Sequence, residues 1–405
     1  MREKLRRNLR LYPWYVGLFH AYFWLPVYFL FFNSSLDLPD VLYLESIYFA
    51  SVVVMEVPSG WFSDTFGRKK TLVCASAFLC IAYVVFLIAN SFEVFAVAQI
   101  FLAAGIAFNS GTDTSFLLET TQALDSEEEY APREAGAMRW NFLGTAFAGV
   151  LGGLAAIPDY RGAYVLSLFG GVALLVITLR FTEPSHVKKE QRLRFLPQVI
   201  SCFGLLRSAH LLWLSVFAVF MIVLNHIPYE FYQPYIKELA TEYDVIKATP
   251  FLSSVHLTLT MLVAAWIASQ SIKIKNRIGT GATLLSAAGL QIAMMTIMHF
   301  FVSIPAAIAM LLRSCPRALM TAPLNIAVAP NVPTARRATF LSLQSLFGRL
   351  GFALTLAMFA TIASGKDWTA ISTMLQWGMW CGLGGFALLL VTVRCIKKED
   401  SSLKS

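Results

Sequence analysis

The sequence predicts an all-α, polytopic membrane protein, and three observations predict it. Of 405 residues, 57% are hydrophobic and only 14% are charged, against about 25% charged in a soluble domain. Apolar runs recur along the whole chain at the length of roughly 20 residues that a membrane-crossing helix needs. The basic residues sit almost wholly between those runs. A cytosolic enzyme of this length would need a far more polar surface. A disordered chain would carry far fewer apolar residues. A secreted disulfide scaffold would be richer in cysteine than six in 405.

The elements follow in order. Residues 1–10 carry five Lys/Arg, and an apolar run at 11–32 follows. It is too long for the apolar core of a signal peptide and lacks a small-x-small cleavage site, so an uncleaved first helix is predicted. Further spans are predicted over 42–62, 71–90, 92–118, 138–157 and 162–181. A polar stretch separates them from spans over 211–233, 249–270, 279–301, 304–329, 338–363 and 369–393. The expected organisation is an N-terminal six-helix bundle (1–181), a cytoplasmic linker (182–209), and a C-terminal six-helix bundle with a short cytoplasmic tail (210–405).

Twelve spans put both termini on one side. Lys and Arg are in excess in cytoplasmic segments. Of the 32 here, 24 fall on the side of the N-terminus, and only Arg161, Lys237, Lys247 and Lys366 fall in the opposite loops. The remaining four, Arg139, Arg313, Arg317 and Arg349, lie inside spans. A multi-pass protein of the bacterial inner (plasma) membrane with both termini cytoplasmic is expected. The acidic loop after span 4 does not overturn this, because Asp and Glu weigh little in the rule. The net charge of +8 is therefore a topological signal, and no nucleic-acid partner is expected. The six cysteines and six histidines show no metal-ligand spacing, so neither a metal nor a cofactor is expected.

The turn after span 2 reads Gly60-Trp61-Phe62-Ser63-Asp64-Thr65-Phe66-Gly67-Arg68-Lys69-Lys70. Two glycines permit a tight turn and close helix approach, an acid ends the span, and a basic cluster follows. This resembles the G-x-x-x-D-(R/K)-x-G-R-(K/R) signature of the major facilitator superfamily, with Thr65 in place of the basic residue after the acid. With twelve spans and a central linker, the resemblance covers the whole chain. It implies two pseudo-symmetric six-helix bundles, transport by alternating access, and a substrate bound near the midplane. Within the superfamily the resemblance is to the twelve-helix drug/metabolite:proton type. A shift of 212 residues lays Lys275-Asn276-Arg277-Ile278-Gly279 over Ser63-Asp64-Thr65-Phe66-Gly67, a degenerate second copy in the expected phase.

The resemblance also implies residue roles. Gly60, Asp64, Gly67, Arg68 and Lys69 would form an inner gate at the cytoplasmic ends of helices 4 and 11. Arg68 would pair with an acid on span 4, either Asp113 or Glu119, and Arg139 would join the group. Two exporter signatures are altered. Span 4 lacks the arginine of many drug/proton antiporters. Span 5 keeps the glycine pair Gly152-Gly153 of G-P-x-x-G-G without its proline.

Ionisable residues inside spans are costly and are functional candidates by default. Glu56 and Asp113 fall toward the cytoplasmic third and are candidate proton carriers. Glu230 is expected near the outer end of span 7. Arg313 and Arg349 fall near mid-membrane and could pair with a protein carboxylate or with an acidic group on the substrate, which arginine binds bidentately. Asn109, Asn141, His226, His256 and Gln344 are further candidate cavity groups, and Tyr22-Phe23-Trp24 a candidate cavity wall.

No phosphate-binding G-x-x-x-x-G-K-(S/T) loop is present, so ATP is not the expected driving force. The expected function is secondary active transport of a small organic molecule by proton-coupled efflux, by a chain that is not an enzyme. The arginines favour an acidic substrate, such as a carboxylate metabolite or siderophore. Proton-coupled uptake is the alternative, and a membrane-embedded acyl or lipid transferase is the alternative of another class. Substrate, protons and the lipid bilayer are the expected partners, and the protein is expected to be a monomer.

Overall fold

A computed structural model describes residues 1–184, 195–363 and 368–393. The linker residues 185–194 and the expected tail beyond 393 lie outside the described residues. Every regular element among those described is a helix.

The first span is two helices, α1 (Arg2–Phe19) and α2 (Tyr28–Ser35). Then come α3 (Leu38–Phe66), α4 (Arg68–Ile88), α5 (Phe92–Asn109), α6 (Thr112–Gln122), α7 (Tyr130–Ala155) and α8 (Arg161–Arg180). The second set is α9 (Phe195–Leu205), α10 (Ala209–Glu242), α11 (Thr249–Ile278), α12 (Thr280–Phe300), α13 (Ile304–Ala309), α14 (Cys315–Val328), α15 (Thr334–Ile362) and α16 (Trp368–Thr392). Each of the twelve predicted spans thus coincides with one helix or with an interrupted pair. Among the described residues, nine helical segments are long and apolar enough to cross a membrane. Large apolar side chains such as Phe147, Phe169, Trp266, Leu354 and Leu388 are more than 60% exposed on their helices, as a lipid-facing surface requires.

The structure corrects the sequence in five places. Span 1 is broken over residues 20–27. Pro26 has no N–H to donate to the Tyr22 carbonyl one turn back, and within the break the carbonyl of His20 accepts from Thr145 Oγ1 on α7 (3.0 Å). Span 4 breaks between α5 and α6, where Gly111 takes the left-handed conformation (φ +71°). Span 10 breaks between α13 and α14, around a short 3-10 turn, and Pro316 opens the second piece. Span 7 runs on to Glu242, through Pro228 and Pro234. Glu230 is therefore not at a helix end but enclosed, at 2% exposure. Finally, the stretch read as a polar linker contains α9, whose apolar run FLPQVISCFGL was hidden among flanking charges.

The chain divides into two compact units: Met1–Glu190 with Lys247–Val255, and Gln191–Ile246 with His256–Ser405. In the N-terminal unit, Phe31, Phe32, Phe86, Phe95 and Tyr164 form an aromatic core with neighbouring centroids 4.8 to 5.7 Å apart. Helix α7 lies against the broken first span because it presents no side chain there. A methyl at Gly144 would run into the carbonyl of Gly17, and one at Gly152 into that of Phe23. The acidic loop is tied down on the same unit. Arg2 pairs with Asp125 (2.7 Å), and Arg133 Nη2 with Glu129 (2.5 Å). The Arg133 bonds hold the Glu129 carboxyl below its ordinary range.

The internal repeat is visible in the backbone. Gly67 joins α3 to α4 at φ +102°, ψ 159°, and Gly279 joins α11 to α12 at φ +84°, ψ 161°. Thr71 Oγ1 donates to the carbonyl of Gly67 at 2.8 Å, and Thr283 Oγ1 to that of Gly279 at 2.8 Å. The same 212-residue shift relates both pairs.

Candidate functional site

The motif spans the last turn of α3, the glycine hinge and the first turn of α4. Only Gly67 needs to be glycine there. Gly60 sits in regular helix with nothing among the described residues near the position of a Cβ, so the close approach expected of it is not made. Arg68 is 6% exposed and fully engaged. Its Nη1 donates to Ser63 Oγ (2.6 Å) and lies 2.9 Å from Asp64 Oδ1. Its Nε and Nη2 both lie 3.0 Å from Glu119 Oε1. Ser63 also accepts from Thr112 Oγ1 (3.2 Å). Of the two acids open to Arg68 in the sequence, Glu119 is the partner. A planar guanidinium spreads these contacts over three nitrogens, whereas an ammonium would have to serve all three side chains from one.

A further acid completes the hinge. The Glu183 carboxylate, just past α8, accepts from the backbone N–H of Arg68 (2.7 Å) and of Lys69 (2.9 Å). These are two of the four N–H groups that every helix start leaves open, and a carboxylate there is favoured by the helix dipole. A Cβ on Gly67 would lie 2.7 Å from the Glu183 carboxyl carbon. Gly67→Ala therefore combines a left-handed φ with a clash, and is expected to destabilise the protein by about 1–3 kcal/mol. Thermal unfolding in detergent checks this, and a variant as stable as the parent would contradict it. Lys69 enters through its backbone rather than its side chain.

Asp113 belongs to a separate polar chain at the break in span 4. Its Oδ1 accepts from the Thr114 N–H (2.8 Å), and its Oδ2 from Asn109 Nδ2 (3.5 Å). The Asn109 Oδ1 accepts from the Tyr15 hydroxyl on α1. Glu56 is half-buried two turns before Asp64 on α3, Arg139 is exposed on α7, and Asn141 is half-buried beside it. Arg139 makes no ion pair with a described residue.

In the C-terminal unit Arg313 occupies the break in span 10, at 2% exposure. Its Nη1 donates to His256 Nδ1 (2.8 Å) and Thr260 Oγ1 (2.7 Å) on α11, and its guanidinium lies 4.1 Å above the Tyr232 ring. His256 Nε2 lies 3.0 Å from the Ala307 carbonyl. The two contacts fix one tautomer: the Nε2–H donates and Nδ1 accepts. His256 is thus held neutral against Arg313 and is not a free proton carrier. Gln344 Nε2 donates to Ser215 Oγ (2.8 Å), so it joins α15 to α10. His226 Nδ1 meets its own helix at the Ile222 carbonyl (2.6 Å), and its ring lies 4.9 Å from that of Phe352. Arg349, half-buried on α15, and exposed Arg317 are both electrostatic neighbours of His226.

One enclosed acid escaped the sequence reading. Glu45, near the start of α3, is 5% exposed and accepts from Gln99 Nε2 on α5 (2.8 Å). Its signal was available, since it lies within the apolar run 42–62.

Interrupted spans holding enclosed polar groups, in two related six-span halves, define a multi-pass membrane transporter. The family model described as Major Facilitator Superfamily matches residues 15–356, and the chain belongs to that superfamily. As a transporter it binds a small-molecule substrate and sits in a lipid bilayer. No curated protein matches the sequence. The fold is similar to that of the nucleoside transporter NupG, at TM-score 0.79 and 12% identity, with 94% of this chain and 100% of that chain covered. It is also similar to a bacterial homologue of the human lysosomal transporter Spinster, at 0.68 and 15%, covering 98% and 97%. A D-xylose-proton symporter matches at 0.66 and 14%, covering 92% and 95%.

Proposed function

We propose that this chain is a proton-coupled exporter of a small organic molecule, working by alternating access. The observation that carries the coupling is Asp113. It is a carboxylate at a helix break in the N-terminal unit, joined through Asn109 to Tyr15 of the interrupted first span. Unwound segments of transporters are where ions and substrates are held, and a carboxylate there can take and release a proton. Glu56 is the second candidate.

Export is the first reading of direction and uptake the alternative: α7 keeps the glycine pair Gly152-Gly153 without the exporter proline, and its Gly144 and Gly152 admit the backbone of the first span. Asp64, Arg68 and Glu119 form the inner gate, with Glu183 as its clasp. We assign Arg349 to an acidic group on the substrate and Arg313 to structure, since Nη1 of the latter serves His256 and Thr260. The superfamily indicates a transporter rather than an acyl or lipid transferase. The named neighbours include a nucleoside transporter and a D-xylose-proton symporter, so the shared fold does not choose among substrates. The protein is proposed to act as a monomer in the plasma membrane with both termini cytoplasmic.

Inside-out vesicles with a pH-sensitive dye and a panel of organic acids test the coupling. Substrate-induced collapse of an imposed proton gradient is the expected result. No pH response to any substrate that is transported would refute coupling. A metabolite comparison of cells with and without the gene tests direction, because retention on deletion means export and reduced uptake means import.

A further inference from the structure

Glu45 and Gln99 each lie seven residues in from the start of their helices, at Leu38 and Phe92, or about 10 Å at the helical rise. Those starts share one end of the N-terminal unit, opposite the end that carries the motif. Beside the Glu45–Gln99 bond is a cavity of about 20 Å³, lined also by Tyr48, Tyr164 and Trp24. On this measure one water needs about 10–15 Å³ and two to four polar partners.

The Tyr164 hydroxyl supplies an independent indication. Tyr164 is fully buried, and its hydroxyl has no hydrogen-bond partner among the described residues. A buried hydroxyl left so loses its hydration without return. It lines the same cavity as the carboxyl.

We propose that Glu45, Gln99 and Tyr164 form a proton site: the cavity binds one water between the Tyr164 hydroxyl and the Glu45 carboxyl, and Glu45 exchanges a proton through it. The carboxylate gains a proton to become a carboxylic acid and returns it by the same water, and no other bond changes. Gln99 donates to the oxygen that keeps its lone pair in both states. Among the described residues, the titratable groups lining the cavity with Glu45 are Tyr48 on its own helix and Tyr164 on α8, with Tyr83 on α4 beside both. Gln99 on α5 and Trp24 in the span 1 break are neutral, and no lysine, arginine or histidine among the described residues lines the cavity. This deepens the proton-coupled reading, adding a second enclosed carboxyl at the end of the unit opposite Asp113.

The test uses the proton as its probe and needs no substrate. Infrared difference spectra between acidic and alkaline pH are recorded on the full chain in lipid bilayers. The parent is expected to show a reversible carboxyl C=O band that Glu45→Gln removes and Tyr164→Phe displaces. An identical difference spectrum in the parent and in folded Glu45→Gln overturns the proposal. Should Glu45→Gln not fold, Tyr164→Phe decides alone: a displaced band supports the site and an unmoved one overturns it. Vesicle measurements remain separate. Substrate-driven proton movement without the Glu45 band sinks this site and spares the coupling, whereas the band without such movement does the reverse.

Discussion

Asp113→Asn is expected to abolish transport driven by a proton gradient while leaving substrate exchange at equal pH close to normal. Asparagine keeps the size of the side chain and an oxygen to accept the Thr114 N–H. It loses the ability to carry a proton, the charge, and the oxygen that accepts the long 3.5 Å bond from Asn109. A symmetric loss would mean a structural role, so the asymmetry is the diagnostic. Gradient-driven flux should fall by at least about tenfold, equivalent to roughly 1.4 kcal/mol in the coupled step. The measurement is flux in proteoliposomes with the substrate found by metabolite comparison, with and without a pH difference. Parental gradient-driven flux in the variant would remove Asp113 from the coupling step.

Arg68→Ala should be the most destabilising single change at the motif. It leaves Glu119, which is 9% exposed, as an enclosed carboxylate without its cation. Breaking a buried pair from one side costs about 3–5 kcal/mol. Arg68→Lys should recover only part of this, because Nη1 serves Ser63 and Asp64 while Nε and Nη2 serve Glu119, and a lysine side chain has a single nitrogen for all three. Adding Glu119→Gln to Arg68→Ala should restore stability toward that of the parent, since the stranded charge is then gone. Thermal unfolding in detergent of the parent, Arg68→Ala, Glu119→Gln and the double variant forms a double-mutant cycle. Additive losses would show that the pair is not coupled.

The span pattern was legible because apolar runs of membrane length have few other uses. The hinge was legible through Gly67, where a positive φ fixes the residue type. The interruptions were not. Hydropathy averages over a window, so residues 20–27, Gly111 and the turn before Cys315 disappear into apolar runs. Only Pro26, Gly111 and Pro316 hint at them, and Pro228 and Pro234 give the same hint in a helix that continues. The partners of charged groups were legible only as short lists. Glu119 and Asp113 are six residues apart, and which meets Arg68 depends on the break that re-aims α6. Glu183 was invisible because its contact with Arg68 and Lys69 bridges more than a hundred residues and uses backbone donors, which leave no trace in side-chain patterns. Glu45 is legible as an acid within the run 42–62, but its place near the margin of that run makes it look like an interfacial residue.

The clasp at the end of α8 has a mechanical meaning. Asn8 on α1 exchanges two hydrogen bonds with the backbone of Thr182 (2.7 and 2.9 Å), and the next residue, Glu183, grips the first turn of α4. The chain leaving the N-terminal unit is thus knotted to its first and third spans before it goes on. A pull along that chain is delivered as force at Asn8 and at the Gly67 hinge rather than along α8 itself.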